Sequence, residues 1–256
     1  MSRAAIATLI TAPLLSLAPA IAQQAAPATP AGQPAAPAAA AGQQAAPAAG
    51  QMTPDQITAF NKAVTDFTAG QSAQQSGDNA GAVAKYEAAL PAIRKAVEVD
   101  PTKIDNVNFL ANALYATAAA KGALGQMDQV ISLYGEALPH WRKVVEAKPA
   151  DTASRNILAG ILVQLGNQKL AAGDKAAADP HYQEALTLAR KSVAENGTDK
   201  INRNLLLSAL IGASQTGTDA ALRTEAMDLG KAMTADGSID AMNKPSVAAM
   251  TGQKAG

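Results

Sequence analysis

One helical pattern is written three times along this chain, at an interval of 48 residues. Tyr86, Tyr134 and Tyr182 stand at that spacing, and the same register holds for the Ala, Leu, Arg, Lys and Val positions that follow each of them. Within each copy the apolar residues recur at i, i+3, i+4 and i+7, which is the spacing of an amphipathic helix. A fixed period of this kind is typical of a chain built from repeated structural units.

Each copy also holds an earlier helical segment, so that the unit is a pair of helices. These first helices align on Leu110, Leu158 and Leu206, and the turns between the two helices align on Gly77, Gly125 and Gly173. No sustained apolar–polar alternation interrupts the pattern. We expect residues 53–235 to be almost wholly helical, with second helices that begin near Asn79, Asp128 and Ala176. The sequence therefore predicts an all-α fold, an α-solenoid of stacked antiparallel helix pairs.

The second helices carry a small–aromatic–small series, as in Ala178, Tyr182 and Ala185, with spacings of four and three residues. This series resembles that of the tetratricopeptide repeat, a unit of about 34 residues. That family places about 13 residues between a Leu and the first Ala of the series, whereas Leu110 precedes Val130 by 20 residues. Seven extra residues in each helix are nearly two turns, so a lengthened unit keeps its apolar stripe on one side.

The resemblance divides the chain into units. We expect a repeat domain over residues 52–242, with three regular units at 56–103, 104–151 and 152–199. A fourth unit, 200–242, loses the register, since Gly230 stands where the tyrosine would fall. Repeat arrays need an atypical terminal unit to close the last apolar face, and this unit is interpreted as such a cap. Residues 243–256 are predicted to form a disordered tail.

The N-terminal region has the composition of an export signal followed by a linker. Residues 1–22 contain Arg3, an apolar run and the sequence Ala20-Ile21-Ala22, which together indicate a signal peptide cleaved before Gln23. We therefore expect a periplasmic or secreted protein, with an uncleaved membrane anchor as the alternative. Residues 23–51 carry no charge and are almost entirely Ala, Pro, Gln and Gly, which predicts a disordered linker.

The composition argues against several function classes. Lys plus Arg equals Asp plus Glu at 21 each, so the chain offers no net field for nucleic acid. Cysteine is absent and only two histidines occur, which argues against thiol chemistry and a histidine metal site. Neither a phosphate-binding loop nor a nucleophile motif is present in the sequence. We expect a protein that is not an enzyme and uses neither a cofactor nor a metal.

The first helices carry polar residues away from their apolar stripe. At about 100° per residue, Asn156 lies roughly opposite the centre of the stripe that contains Leu158 and Leu162. The family resemblance implies that this side lines a concave groove, where Asn pairs with main-chain amides and Arg with carboxylates. The candidate peptide-binding residues are Asn108, Asn112, Arg155, Asn156, Arg203 and Asn204. The alternative is a solvated polar face copied by duplication.

Two other repeated features favour structural roles. Glu98 and Glu146 follow Arg94 and Arg142 by four residues, a spacing that favours local ion pairs. The repeated tyrosines and Trp141 are predicted to lie in the core. The functional prediction is an exported, non-catalytic scaffold of the bacterial cell envelope that binds a protein or peptide. The alternative is a structural component that self-assembles through an incompletely capped end of the array.

Overall fold

The computed structural model describes residues 50–217 and 219–252, and these residues form helices without any strand. In chain order the helices are α1 Pro54–Gln75, α2 Asn79–Val99, α3 Ile104–Ala123, α4 Met127–Ala147, α5 Thr152–Ala171, α6 Lys175–Glu195, α7 Lys200–Thr216, α8 Ala220–Ala235 and α9 Lys244–Thr251. The predicted signal peptide and nearly all of the predicted linker fall outside the described residues.

Consecutive helices pack against one another along the chain, and α5 also packs against α7. This arrangement confirms the predicted all-α, solenoid-like fold. The second helices α2, α4 and α6 begin within one residue of the predicted positions. Gly77, Gly125 and Gly173 have φ values of 86°, 74° and 82°, so each intervening turn uses the left-handed conformation that glycine adopts without strain.

Side-chain caps fix the helix starts. Thr53 and Gln56 form a reciprocal capping box at α1, in which Gln56 Oε1 accepts from Thr53 N at 2.8 Å. Asp78, Asp174 and Asp199 each accept a hydrogen bond from a main-chain N–H in the first turn of the following helix. The chain therefore specifies where most of its helices begin through local chemistry that precedes any packing.

The repeated tyrosines hold the helices together at close range. Tyr86 and Tyr182 are fully buried and Tyr134 nearly so, and Trp141 is buried as well, which confirms the predicted core positions. Tyr182 lies between α5 and α7, where a Cβ on Gly212 would stand only 2.1 Å from its ring. Gly166 of α5 meets the same ring in the same way. Glycine at these two positions lets the first helices of neighbouring units approach a large aromatic side chain.

The N-terminal helix has a charged outer side in place of an apolar one. The positions equivalent to Leu110 and Leu114 of α3 are occupied in α1 by Lys62 and Asp66, which form a salt bridge with each other. Lys85 of α2 lies 3.7 Å from the same Asp66 carboxylate. A salt-bridged pair thus stands in the first unit where the second unit has two buried leucines.

The predicted ion pairs within second helices were wrong for the arginines. Each arginine instead pairs with a glutamate in the second helix of the next unit: Arg94 with Glu136, Arg142 with Glu184, and Arg190 with Glu225, at 2.6 Å in each case. The first two pairs are bidentate. The four-residue spacing did not predict the pairing, because a carboxylate of the neighbouring unit lies in better geometry for each arginine.

The C-terminal region is more ordered than the sequence predicted. The segment 243–256 was expected to be a disordered tail, but it contains α9. Val247 of α9 packs against Gly230 of α8, where a Cβ would stand 2.6 Å from a Val247 methyl carbon. Glycine stands at position 230 in place of the tyrosine of the earlier units because a side chain there would clash with Val247. The terminal helix thus packs against α8.

Candidate functional site: a neutral groove along the first helices

One face of the first helices lines an open groove. At about 100° per residue, Asn156, Val163 and Asn167 of α5 lie within about 20° of one direction. The equivalent residues of α7 are Asn204, Ile211 and Gln215. Val163, Asn167, Ile211 and Gln215 all line a groove of about 600 Å³. The face that the sequence singled out therefore leads into this groove, although the groove itself occupies the second half of each helix.

Four helices contribute to the walls of the groove. The beginning of α4 supplies Met127 and Ile131, the second half of α5 and one face of α7 supply the residues named above, and α9 supplies Pro245 and Ala249. The apolar part of the lining is aliphatic or thioether, without an aromatic ring. Such a surface is shallow and suits small side chains better than a single large one.

The polar part of the lining consists mainly of side-chain amides. Gln164 and Gln168 make no side-chain hydrogen bond within the described part of the chain. Asn167 accepts a hydrogen bond from the Tyr182 hydroxyl at 2.7 Å, which turns its amide –NH₂ group away from the core. Among the described residues, Asp128 is the one charged side chain that contributes to the lining. The groove thus offers uncharged hydrogen-bond donors and acceptors, which are the groups that pair with a polypeptide main chain.

The sequence predicted that Arg155 lies on the polar side of its helix, where it could reach a bound peptide. The structure instead buries this side chain. Its side chain is 1% exposed. Nε donates to Ser192 Oγ at 3.0 Å, Nη1 donates to the Pro149 carbonyl at 2.8 Å, and Nη2 bonds Thr152 and Glu195. The sequence could not reveal this because the acceptors come from α6 and from the preceding turn. Arg155 joins the start of α5 to the end of α6.

Asn156 belongs to the same polar cluster. Its Oδ1 accepts from Ser192 Oγ at 2.8 Å, and its Nδ2 donates to Asn202 Oδ1 at 2.7 Å. Asn202 in turn donates to the main-chain carbonyls of Ser192 and Asn196. Three successive helices are therefore connected through neutral side chains. Asn156 remains half-buried, with both ends of its amide bonded inside the protein.

Asn204 and Arg203 are covered by the chain that follows α8. Asn204 is 4% exposed; its Nδ2 donates to the Ser238 carbonyl at 2.9 Å and its Oδ1 accepts from the Asp240 N–H at 2.8 Å. Arg203 Nη1 donates to Asp236 at 2.8 Å and to Ser238 Oγ at 3.2 Å. One asparagine thus bonds two main-chain groups of an adjacent segment, which is the chemistry predicted for a bound peptide.

Asn108 occupies on α3 the position of Asn156 and Asn204, Asn112 follows one turn later, and both are half-buried. Asn112 Nδ2 donates to the Asn108 carbonyl at 2.8 Å and to Asn108 Oδ1 at 3.0 Å, so the two side chains are paired within one helix. No other segment of the described chain bonds them. Of the six candidates, Arg155 and Asn204 are buried and the other four are half-buried. The peptide-binding role of all six stays a prediction.

Sequence reasoning missed the groove amides Gln164, Gln168 and Gln215. A signal was available, because Asn167 and Gln215 stand 48 residues apart on the same helical face. The repeated asparagines near the helix starts led to a prediction that lies about two to three turns N-terminal to these glutamines. Those earlier positions lie where three helices meet, and their polar side chains make hydrogen bonds within the protein there.

The described helices hold neither a metal-binding cluster nor a membrane span. Across residues 50–217 and 219–252, His, Asp and Glu do not cluster in threes in a way that could hold a metal ion. None of the helices in those same residues is long and apolar enough to cross a membrane. Compared with known proteins, the chain matches no family model, and no curated protein is similar to it at a significant level.

Proposed function

We propose that this protein is an exported, non-catalytic scaffold that binds an extended polypeptide in the groove formed by α4, α5, α7 and α9. The observation that carries the proposal is the lining: the amide side chains of Gln164 and Gln168, which make no hydrogen bond within the described residues, lie among small aliphatic surfaces in a groove of about 600 Å³. An extended chain presents one N–H and one C=O per residue, and amide side chains pair with both.

The protein's own C-terminal segment illustrates the mode of binding. Asn204 donates to one main-chain carbonyl and accepts from the N–H two residues later, so a single amide side chain holds a short stretch of non-helical chain. Ser208, one turn further along α7, donates to Asn243 of the same segment. We infer that Gln164 and Gln168 act in the same way on a partner, because both line the groove, where Gln164 is half-exposed and Gln168 is exposed.

The spacing of small and aromatic residues supports a lengthened member of the tetratricopeptide class. Leu165-Gly166 precedes Ala178 by 13 residues, the separation typical of that family. Gly166 is also the residue that contacts the Tyr182 ring. On this basis the extra residues extend the far ends of the two helices and leave the turn between them unchanged. The export of the protein to the periplasm or medium is proposed from the signal-like composition of residues 1–22.

The proposal is tested by capture from a periplasmic extract with the full chain, beside the double variant Gln164→Ala/Gln168→Ala. A partner that binds in the groove should be recovered at least tenfold less by the double variant, because two amide contacts are lost. The matched control is Gln183→Ala, an exposed glutamine on the outer side of α6. Equal recovery by all three proteins would contradict the proposal.

A further inference from the structure

The chemistry of the groove narrows the class of polypeptide that it accepts. A basic segment would find only Asp128 as a counter-charge, and an acidic segment would find no cation in the lining. Large aromatic side chains would find no aromatic partner and no deep pocket. The best-matched occupant is an extended segment of small apolar and neutral amide residues, which means Ala, Pro and Gln.

This chain contains such a segment. Residues 23–49 carry no charged side chain, and the sequence QQAAPA occurs there twice, at 23–28 and at 43–48. Proline-rich sequences favour an extended main chain whose carbonyls have no internal hydrogen-bond partners. Those carbonyls can accept from the amide groups of Gln164 and Gln168, while alanine and proline side chains fit the shallow aliphatic surface. The composition of the segment and the composition of the groove are therefore complementary.

Reach distinguishes the two copies of the motif. Packed helices lie about 10 Å apart and a helix of 20 residues is about 30 Å long, so the groove lies on the order of 40 Å from Gly50. Residues 29–49 can span about 65 Å at about 3.1 Å per residue, which is enough to bring residues 23–28 to the groove. The second copy ends two residues before Gly50 and cannot reach it in the same molecule.

We propose that residues 23–28 bind in this groove of their own chain and are displaced by the polypeptide partner. This inference rests on the function proposed above. Tethering makes even a weak interaction effective, since a linker of this length provides an effective concentration on the order of 1 mM. An affinity in the millimolar range is then sufficient for the groove to be occupied about half of the time. The partner must exceed that affinity to enter, which makes the segment an internal competitor.

Photo-crosslinking on the full chain tests this proposal. A photoreactive amino acid placed at Gln168 should form an intramolecular crosslink to residues 23–28, located by tandem mass spectrometry. The same probe at Gln183, on the outer side of α6, should give at least fivefold less of this product. Crosslinks to 43–48, or equal yields from both probe positions, would overturn the proposal.

Two controls separate the remaining outcomes. Gln23→Glu/Gln24→Glu should lower the crosslink yield severalfold, because it places negative charge in a groove whose one charged residue is Asp128. The identical change in the second copy, Gln43→Glu/Gln44→Glu, should leave the yield unchanged. Mixed isotope-labelled and unlabelled chains should give no heavy–light product; such a product would assign the occupant to a second copy and contradict binding within one chain. Capture of an external protein at Gln168 without any crosslink to 23–28 would overturn this inference while leaving the proposed function intact.

Discussion

Arg155 Nε donates to Ser192 Oγ at 3.0 Å, and this contact joins the beginning of one helix to the end of the next inside the protein. Ser192 Oγ donates in turn to Asn156, and Asn156 donates to Asn202. The chain of hydrogen bonds therefore crosses from the third unit into the fourth. In a repeat array, stability depends on such contacts between neighbouring units as well as on each unit itself.

Replacing Arg155 by Ala should lower the free energy of unfolding by about 3 kcal/mol, since it leaves buried acceptors without donors and a cavity behind them. The matched control is Arg142→Ala, in which an exposed bidentate ion pair is lost and the cost should stay below about 1 kcal/mol. Urea denaturation followed by circular dichroism measures both. Equal losses in the two variants would mean that the buried network contributes no more than the exposed pair.

Much of the fold followed from the sequence because the pattern was both periodic and local. The turn glycines act within a few residues, and together with the 48-residue interval they placed three second helices to within one residue. The contacts between units were harder to predict. The pairing of Arg142 with Glu184 depends on how far one helix is displaced along the next, and the sequence alone does not give that displacement.

The close approach of helices to the tyrosine rings predicts opposite effects for two glycines. Gly212→Ala would place a methyl group 2.1 Å from the Tyr182 ring, so overpacking should cost about 1–3 kcal/mol. Gly160→Ala meets nothing within 4 Å and should stabilise its helix by up to about 1 kcal/mol. Thermal unfolding of the two variants beside the wild type gives the comparison. A Gly212→Ala protein as stable as the wild type would show that Tyr182 moves aside freely.

The candidate site was predicted less well than the fold, for a physical reason. Helical periodicity assigned Asn156 and Asn204 to a polar face, and that face does continue into the groove. Periodicity does not say what else approaches the same face, and Asn204 is covered by Ser238 and Asp240 from a segment after α8. A polar side chain at the junction of three helices bonds internally, whereas Gln164 and Gln168 lie further along α5 where the groove is open.

The residues at the N-terminal end of the array predict a protein that does not stack on itself. Lys62 and Asp66 replace the leucine pair at the N-terminal end, and Ala88 stands where the ladder of arginine–glutamate pairs would need a glutamate. Light scattering should therefore give a mass of one chain that is independent of concentration. Lys62→Leu/Asp66→Leu restores an apolar surface there, and its mass should rise with concentration. A wild-type mass that also rises would favour the alternative of a self-assembling component.

The segment after α8 should loosen in acid through Asp236. Hydrogen bonds from Ser238 and from Arg203 lower the pKa of the Asp236 carboxyl to about 2, below its ordinary value of 3.8. Because the folded pKa is the lower one, the stabilisation is fully present above about pH 4 and is lost as the pH falls through the range from 4 to 2. Amide hydrogen exchange at Ser238 and Asn243 should therefore accelerate over that range relative to the rest of α7 and α8.

The variant Asp236→Asn isolates this effect, because other carboxylates titrate over the same range. Burial raises the pKa of Asp240 in the same segment, so its protonation on acidification favours the folded form and acts in the opposite direction. That contribution is common to both proteins and cancels in their difference. Wild type should exchange more slowly than Asp236→Asn at pH 6, and the two rates should converge near pH 2. A difference that persists unchanged to pH 2 would show that the Asp236 charge does not hold this segment against α7.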